Sequence, residues 1–207
     1  MHKRFFLLPS ITYMAELSDI ITSKVRVKII ELLWSNVTEI YHVREIVRRV
    51  GEEINAVRRE LKNLEDGGLL KKEQRGNRLY YWARPEYPFF GEILAIIAKT
   101  TGLGKEIIVN KSKLGKILFV MFSGRFVRRK PRKHDDDVDI LVVGEVVLAE
   151  LAQLIRKEES KRSQEINYTV MGRDEFDFRK KRRDPFLQGI LLGSRVMIIG
   201  DEEDLVG

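Results

Sequence analysis

The chain has no cysteine and only three histidines in 207 residues. The first absence excludes disulfide staples, thiolate nucleophiles and zinc sites built on sulfur. The second argues against a histidine-based metal centre, because His2, His42 and His134 lie far apart. Asn and Gln are scarce beside Lys, Arg and Glu, a weak sign of a thermophile. There is no internal repeat and no low-complexity stretch. No apolar run approaches the ~18 residues of a membrane span. Phe5-Phe6-Leu7-Leu8, behind Lys3 and Arg4, has a little of a signal peptide, but Pro9 cuts the run and Glu16 and Asp19 follow. The expectation is a cytoplasmic chain with no membrane partner, in which Phe5 to Leu8 pack on a neighbouring surface.

What is present points to a folded, basic protein. Hydrophobic residues make up 43%, enough for a real core. Charged residues make up 33%, and the formal net charge is +7, which favours an anionic partner, nucleic acid first. The positive excess is shared by both halves, so neither is a basic tail. The length suits one large or two small domains.

Along the first half, Ser23 caps a helix that ends near Ser35-Asn36. Tyr41 to Val50 reads as a short helix with Val43, Ile46, Val47 and Val50 on one face, closed by Gly51. Ile54 to Asp66 reads as a third helix, with Val57, Leu61 and Leu64 inward and Gly67-Gly68 as its stop. Two strands follow, Leu69 to Glu73 and Arg78 to Trp82, joined by the turn Gln74-Arg75-Gly76-Asn77. Beyond Pro85 and Pro88, the helix from Phe89 to Ile97 is apolar on more than one face. It must be covered on both sides, by the first core, a dimer partner or both.

Three helices and a hairpin give the winged helix-turn-helix layout. The stretches Ser23-Lys24-Val25-Arg26, Val43-Arg44-Glu45-Ile46, Arg58-Arg59-Glu60-Leu61-Lys62-Asn63-Leu64, Gly67-Gly68-Leu69-Leu70 and Gly76-Asn77-Arg78-Leu79-Tyr80-Tyr81 resemble the ArsR-like group of transcription regulators. The resemblance implies a double-stranded DNA partner. The physical reading agrees. With Val57, Leu61 and Leu64 inward, Asn55, Arg58, Arg59 and Lys62 face outward, where Arg can pair with guanine and Asn with adenine. Arg75 and Arg78 on the hairpin are set to reach backbone phosphate or the minor groove, and Arg44 in the preceding helix to meet backbone phosphate. The competing reading of each cation is an ordinary solvated face.

Gly102-Leu103-Gly104 is the best boundary, dividing the chain into residues 1–102 and 103–207. Strands are expected at Ile117 to Phe122, Val138 to Val143, Ile166 to Met171 and Arg195 to Ile199. Helices are expected at Val147 to Ile155, Asp174 to Arg182 and from Asp184-Pro185 to Gly193. The whole is then an α+β two-domain chain whose second domain is α/β with a mixed sheet.

In that half, Phe122-Ser123-Gly124 is separated by twelve residues from Asp137-Val138-Asp139-Ile140. The pattern resembles the DNA polymerase β-like nucleotidyltransferases, small prokaryotic type. That resemblance implies that Ser123 and Gly124 meet a nucleotide triphosphate, and that Asp137 and Asp139 are the candidate catalytic pair holding Mg²⁺. Residues i and i+2 of a strand point the same way, so the two carboxylates can share metal. Three departures weaken the chemistry. The order is Ser-Gly followed by bulky Arg125. The intervening loop carries Arg128, Arg129, Lys130, Arg132 and Lys133. The third carboxylate is missing, since Asn167 and Thr169 stand where it belongs and Glu165 lies outside the strand. The basic loop and Arg179-Lys180-Lys181-Arg182-Arg183 are either solvated faces or phosphate binders. The leading expectation is a homodimeric DNA-binding regulator whose second domain is a degenerate sensor or scaffold, more regulator than enzyme. The alternatives are an active metal-dependent nucleotidyltransferase and an antitoxin-like interaction protein.

Overall fold

A computed structural model of the chain describes residues 15–207. The expected packing of Phe5 to Leu8 lies outside them. Among the described residues the protein is α+β, with ten α-helices and two sheets, and no helix is long and apolar enough to cross a membrane.

After a 3-10 turn at Leu17–Asp19, helix α1 spans Lys24–Trp34. Its N-cap is Ser23, whose hydroxyl accepts the Arg26 N–H and so satisfies one orphan donor of the first turn. A two-residue strand β1, Tyr41–His42, precedes α2, Val43–Val50. The sequence pattern places Tyr41 and His42 in the helix. They instead pair with Tyr81 and Tyr80, and the His42 ring nitrogen caps α2 by accepting the Glu45 N–H. Gly51, at φ 67, ends α2 in the left-handed conformation that glycine adopts without a Cβ penalty. Helix α3, Ile54–Asp66, matches the expected span.

Strands β2, Leu70–Arg75, and β3, Arg78–Ala83, form a hairpin with a two-residue turn, and β1 joins β3 to give the order β1-β3-β2. Gly76 at φ 58 supplies the conformation a tight hairpin turn requires, so β2 runs two residues further than expected. This sheet and helices α1 to α3 enclose a core around Trp34, Ile46, Val57, Leu61 and Tyr81.

Helix α4, Phe90–Thr100, is covered on both sides by its own chain. Phe90, Leu94 and Ile97 enter the first core, where the Trp34 indole N–H donates to the Phe90 carbonyl at 3.2 Å. Ala95 and Ala98 pack against the core of the second half. The all-round apolar character therefore has an intramolecular explanation, and α4 supplies no argument for a second copy. The expected boundary at Gly102-Leu103-Gly104 falls at a helix start. Gly102 and Gly104 begin helix α5, Gly102–Val109, and Leu103 is buried. A Cβ on Gly104 would lie 1.8 Å from the Ala98 carbonyl oxygen, so the glycine permits a tight α4–α5 corner.

The remaining elements are β4 (Gly115–Ser123), α6 (Gly124–Val127), β5 (Ile140–Val146), α7 (Leu148–Arg162), β6 (Tyr168–Met171), α8 (Arg173–Lys181), α9 (Pro185–Leu192), β7 (Arg195–Ile199) and α10 (Glu202–Val206). The sheet order is β6-β5-β4-β7, with β5 and β6 parallel and the other pairs antiparallel. It is mixed, as expected. Helices α5 and α7 cover one face over Val120, Ile140 and Val142, and α8 to α10 cover the other over Met121, Leu141 and Val143. With both faces covered, the central strand β5 is buried from Ile140 to Gly144.

Candidate nucleic-acid interface and aspartate loop

Helix α3 buries Val57, Leu61 and Leu64 and exposes Asn55, Arg58, Arg59 and Lys62, as the periodicity requires. Its N-cap is Glu53, which accepts the N–H groups of Asn55 and Ala56 at 2.8 and 2.9 Å. Those two bonds hold the Glu53 carboxyl below the usual range. The first turn, which carries Asn55, is thereby fixed.

Between α3, the start of α2 and the hairpin lies a groove of about 600 Å³. Arg44, Arg58, Lys62, Lys72 and Arg78 line it, with no carboxylate among the lining residues. Arg44, Arg58 and Arg78 make no ion pair among the described residues, while Lys62 pairs with Asp66 at 3.0 Å and Lys72 with Glu65 at 2.8 Å. Such exposed pairs are worth ~0–1 kcal/mol and exchange readily for a phosphate. Four of the seven expected DNA contacts thus meet in one concavity. Asn55 and Arg59 stand outside it on the exposed face of α3, and Arg75 is turned to Glu73 and stacked over Tyr80 at the hairpin tip. Lys72, in the groove, was not foreseen, although its alternation with Gln74 on a solvent-facing strand could have shown it.

Glu60 is the other unforeseen residue. It lies on the inward side of α3, 7% exposed, and accepts the Ser23 hydroxyl at 3.0 Å and the Arg26 Nε–H at 2.8 Å. The start of α1 is thereby bonded to the middle of α3. A carboxylate beside inward Leu61 and Leu64 was the available signal, since a buried charge needs a partner.

In the second half, Asp137 and Asp139 precede β5 and do not share a strand face. An Asp-rich segment favours turns that close on their own amides. Asp137 does this, accepting the N–H groups of Lys133 and His134 at 2.8 and 3.2 Å. Desolvation pushes its carboxyl up, but the two amide bonds outweigh it and leave the group below its ordinary value. Asp139 is 5% exposed and accepts the Asn167 N–H at 3.0 Å, while the Arg132 Nε lies 3.4 Å from the same oxygen. Burial raises its carboxyl above the ordinary range, with the Asn167 bond and Arg132 opposing. Asn167 also donates its amide to the Asp137 carbonyl at 3.0 Å, bracing the loop from the position where a third carboxylate would stand.

Ser123 caps α6 by accepting the Phe126 N–H, and the space a Cβ on Gly124 would take is filled by Ser194 Oγ at 2.1 Å and Arg128 at 2.7 Å. Position 124 therefore has room for glycine alone. These residues still border a cavity of about 700 Å³, shared with Asp136, Asp137, Asp139, Phe186 and Ile190. The donor set does not fit Mg²⁺. Arg132 stands against Asp139 where a cation would go, and no cluster of three His, Asp or Glu able to hold a metal occurs among the described residues. Most of the loop arginines are spent on carbonyls: Arg125 on Pro131, Arg128 on Gly124, and Arg132 on Asp135 and Glu165. On α8, Arg179 is held by Glu175 and Asp184.

No protein-family model, curated protein or solved structure matches the chain.

Proposed function

We propose that the chain is a double-stranded DNA-binding regulator. Residues 1–102 form a winged helix-turn-helix that reads the duplex, and residues 103–207 form a nucleotidyltransferase-like domain serving as sensor or scaffold. The uniform charge of one groove carries the reading: five cations and no carboxylate, set between an exposed helix face and a hairpin. Helix α3 is the element for the major groove, which is about 12 Å wide and admits a helix. Arg58 and Arg59 present donors to base edges, and Arg78 and Lys72 flank it for phosphate. The test is fluorescence anisotropy against a duplex selected from a random pool and a scrambled control. Arg58→Ala and Arg59→Ala should each lose ~1–3 kcal/mol on the selected duplex and less on the scrambled one. Undiminished discrimination in both variants would remove α3 from the role.

One observation favours the enzyme reading, the 700 Å³ cavity beside Asp137 and Asp139. With Asp139 held by Arg132 and Asn167, and Asp137 by loop amides, charge neutralisation by metal has no prepared ligands. Incubation with labelled nucleotide triphosphates and Mg²⁺ or Mn²⁺ should give weak or no transfer. Robust labelling that an Asp137→Asn/Asp139→Asn variant abolishes would promote the enzyme.

A further inference from the structure

The sequence leaves two uses open for the basic loop before Asp137, a solvated face and a phosphate binder. Arg132 serves neither. Its side chain is only 20% exposed, and each of its three guanidinium nitrogens faces a different oxygen. Nε lies 3.4 Å from the Asp139 carboxylate, Nη1 donates to the Asp135 carbonyl at 3.2 Å, and Nη2 donates to the Glu165 carbonyl at 2.9 Å. Those oxygens come from three places: the aspartate loop, the entry to β5 and the entry to β6.

Asp139 is fixed from its other sides as well. Its N–H donates to the Asn167 carbonyl at 2.8 Å, its carbonyl accepts the Ser123 N–H at 2.8 Å, and the carboxylate oxygen that faces Arg132 also accepts the Asn167 N–H at 3.0 Å. A carboxylate this buried needs a compensating charge, and the chain supplies it. A guanidinium suits the task. It is planar, weakly hydrated and holds its donors in a rigid fork, so one carboxylate oxygen and two carbonyls can each take one nitrogen. Mg²⁺ suits it badly, because it demands near-octahedral oxygens at about 2.0–2.1 Å and sheds water reluctantly. The second carboxylate, Asp137, is meanwhile turned to the amides of Lys133 and His134.

We propose that Arg132 is a resident counter-ion, supplying permanently at Asp139 the positive charge that the nucleotidyltransferase resemblance assigns to Mg²⁺. It is a positioning residue. Through the Asp139 carboxylate and the Asp135 and Glu165 carbonyls it closes the aspartate loop onto the ends of β5 and β6. The wall that this loop gives to the 700 Å³ cavity is therefore set in place without a divalent cation. The inference rests on the reading of residues 103–207 as nucleotidyltransferase-like, and it is independent of the DNA-reading role of α3.

The test is chemical rescue in the full chain. Arg132→Ala removes all three donors and should lower Tm. Guanidinium chloride in the low millimolar range should fill the vacated position and restore most of the loss. Urea, a neutral group of the same shape, and sodium chloride at equal ionic strength should not. At ten times its dissociation constant, bound guanidinium raises the ratio of folded to unfolded chain about elevenfold. Adding Asp139→Asn to Arg132→Ala should abolish the rescue, because the charge it answers is gone. The parent protein needs no variant to fold: titrated with Mn²⁺, it should show no more paramagnetic broadening of the Asp139 and Asn167 amide resonances than Asp139→Asn does at position 139 and Asn167. Selective broadening in the parent, an unaltered Tm in Arg132→Ala, guanidinium acting no better than urea, or a rescue that survives Asp139→Asn overturns the proposal. Undiminished DNA discrimination in the α3 variants would sink only the function proposed above.

Discussion

Replacing Glu60 by Ala removes the carboxylate that ties α1 to α3. A hydrogen bond to a charged group contributes ~1.5–3 kcal/mol when well shielded. Here the shielding is one-sided: the Glu60 side chain is 9% exposed but that of Arg26 is 38%, so water can replace the carboxylate at the guanidinium. The Ser23 hydroxyl keeps its capping bond to the Arg26 N–H in the variant and loses only its own acceptor. The net cost of Glu60→Ala should therefore be about 2 kcal/mol rather than the doubled figure. For a chain of this length that lowers Tm by roughly 4–8 °C. Urea titration followed by the emission of Trp34, which is fully buried, measures it. A double-mutant cycle with Arg26→Ala isolates the ion pair and should return about 1 kcal/mol of coupling. Additivity within ~0.3 kcal/mol, or a Glu60→Ala cost below ~0.5 kcal/mol, would refute the claim that this carboxylate fastens the two helices.

Arg78→Ala should weaken binding to specific and scrambled duplexes alike and reduce the slope of log affinity against log salt by about 0.9; an unchanged slope would place Arg78 off the phosphates. Arg132→Gln removes a cation that opposes the upward shift of Asp139, so the Asp139 carboxyl should move further above its ordinary value, read from its ¹³C resonance during a pH titration. Because the folded state then holds its proton more tightly than the unfolded one, stability should fall as pH rises from the ordinary carboxylate range through the raised value, more steeply than in the parent protein. Gly104→Ala drives a methyl against the Ala98 carbonyl and should cost more than about 3 kcal/mol in thermal melts, and an unaltered Tm would refute the close crossing of α4 and α5.

Elements with strong periodicity and clear caps were legible in the sequence. Helix α3 and strand β7 have the expected spans, and the Asp184-Pro185 start of α9 is an N-cap with proline in the first turn. Where a residue type has two uses, pattern alone chose the commoner one. Gly102 and Gly104 read as a domain boundary; Gly102, at φ 53, does separate α4 from α5, but Gly104 serves packing inside a helix, so α5 was missed. Asp137 and Asp139 read as strand alternation but are loop residues, because amides of the basic loop and Asn167 sit within reach only in the folded chain. A His N-cap and a two-residue strand leave no periodic trace, which hid β1. The exposed cations of α3 were legible. Their gathering with Arg44, Lys72 and Arg78 into one groove depends on how the hairpin folds back beside the helix.

Helix α4 is a party wall. One of its flanks belongs to the core around Trp34 and the other to the core beneath the mixed sheet. A melt of either side strips a wall from the other, and the energetic cost of that bared surface couples the two halves. The chain should then unfold in one calorimetric step, with van't Hoff and measured enthalpies equal. Cutting after residue 102 would not release a self-sufficient fragment. It would leave the Ala95 and Ala98 flank facing water and remove the α5 turn that seats on it, so dissection at the apparent seam yields a piece prone to self-association.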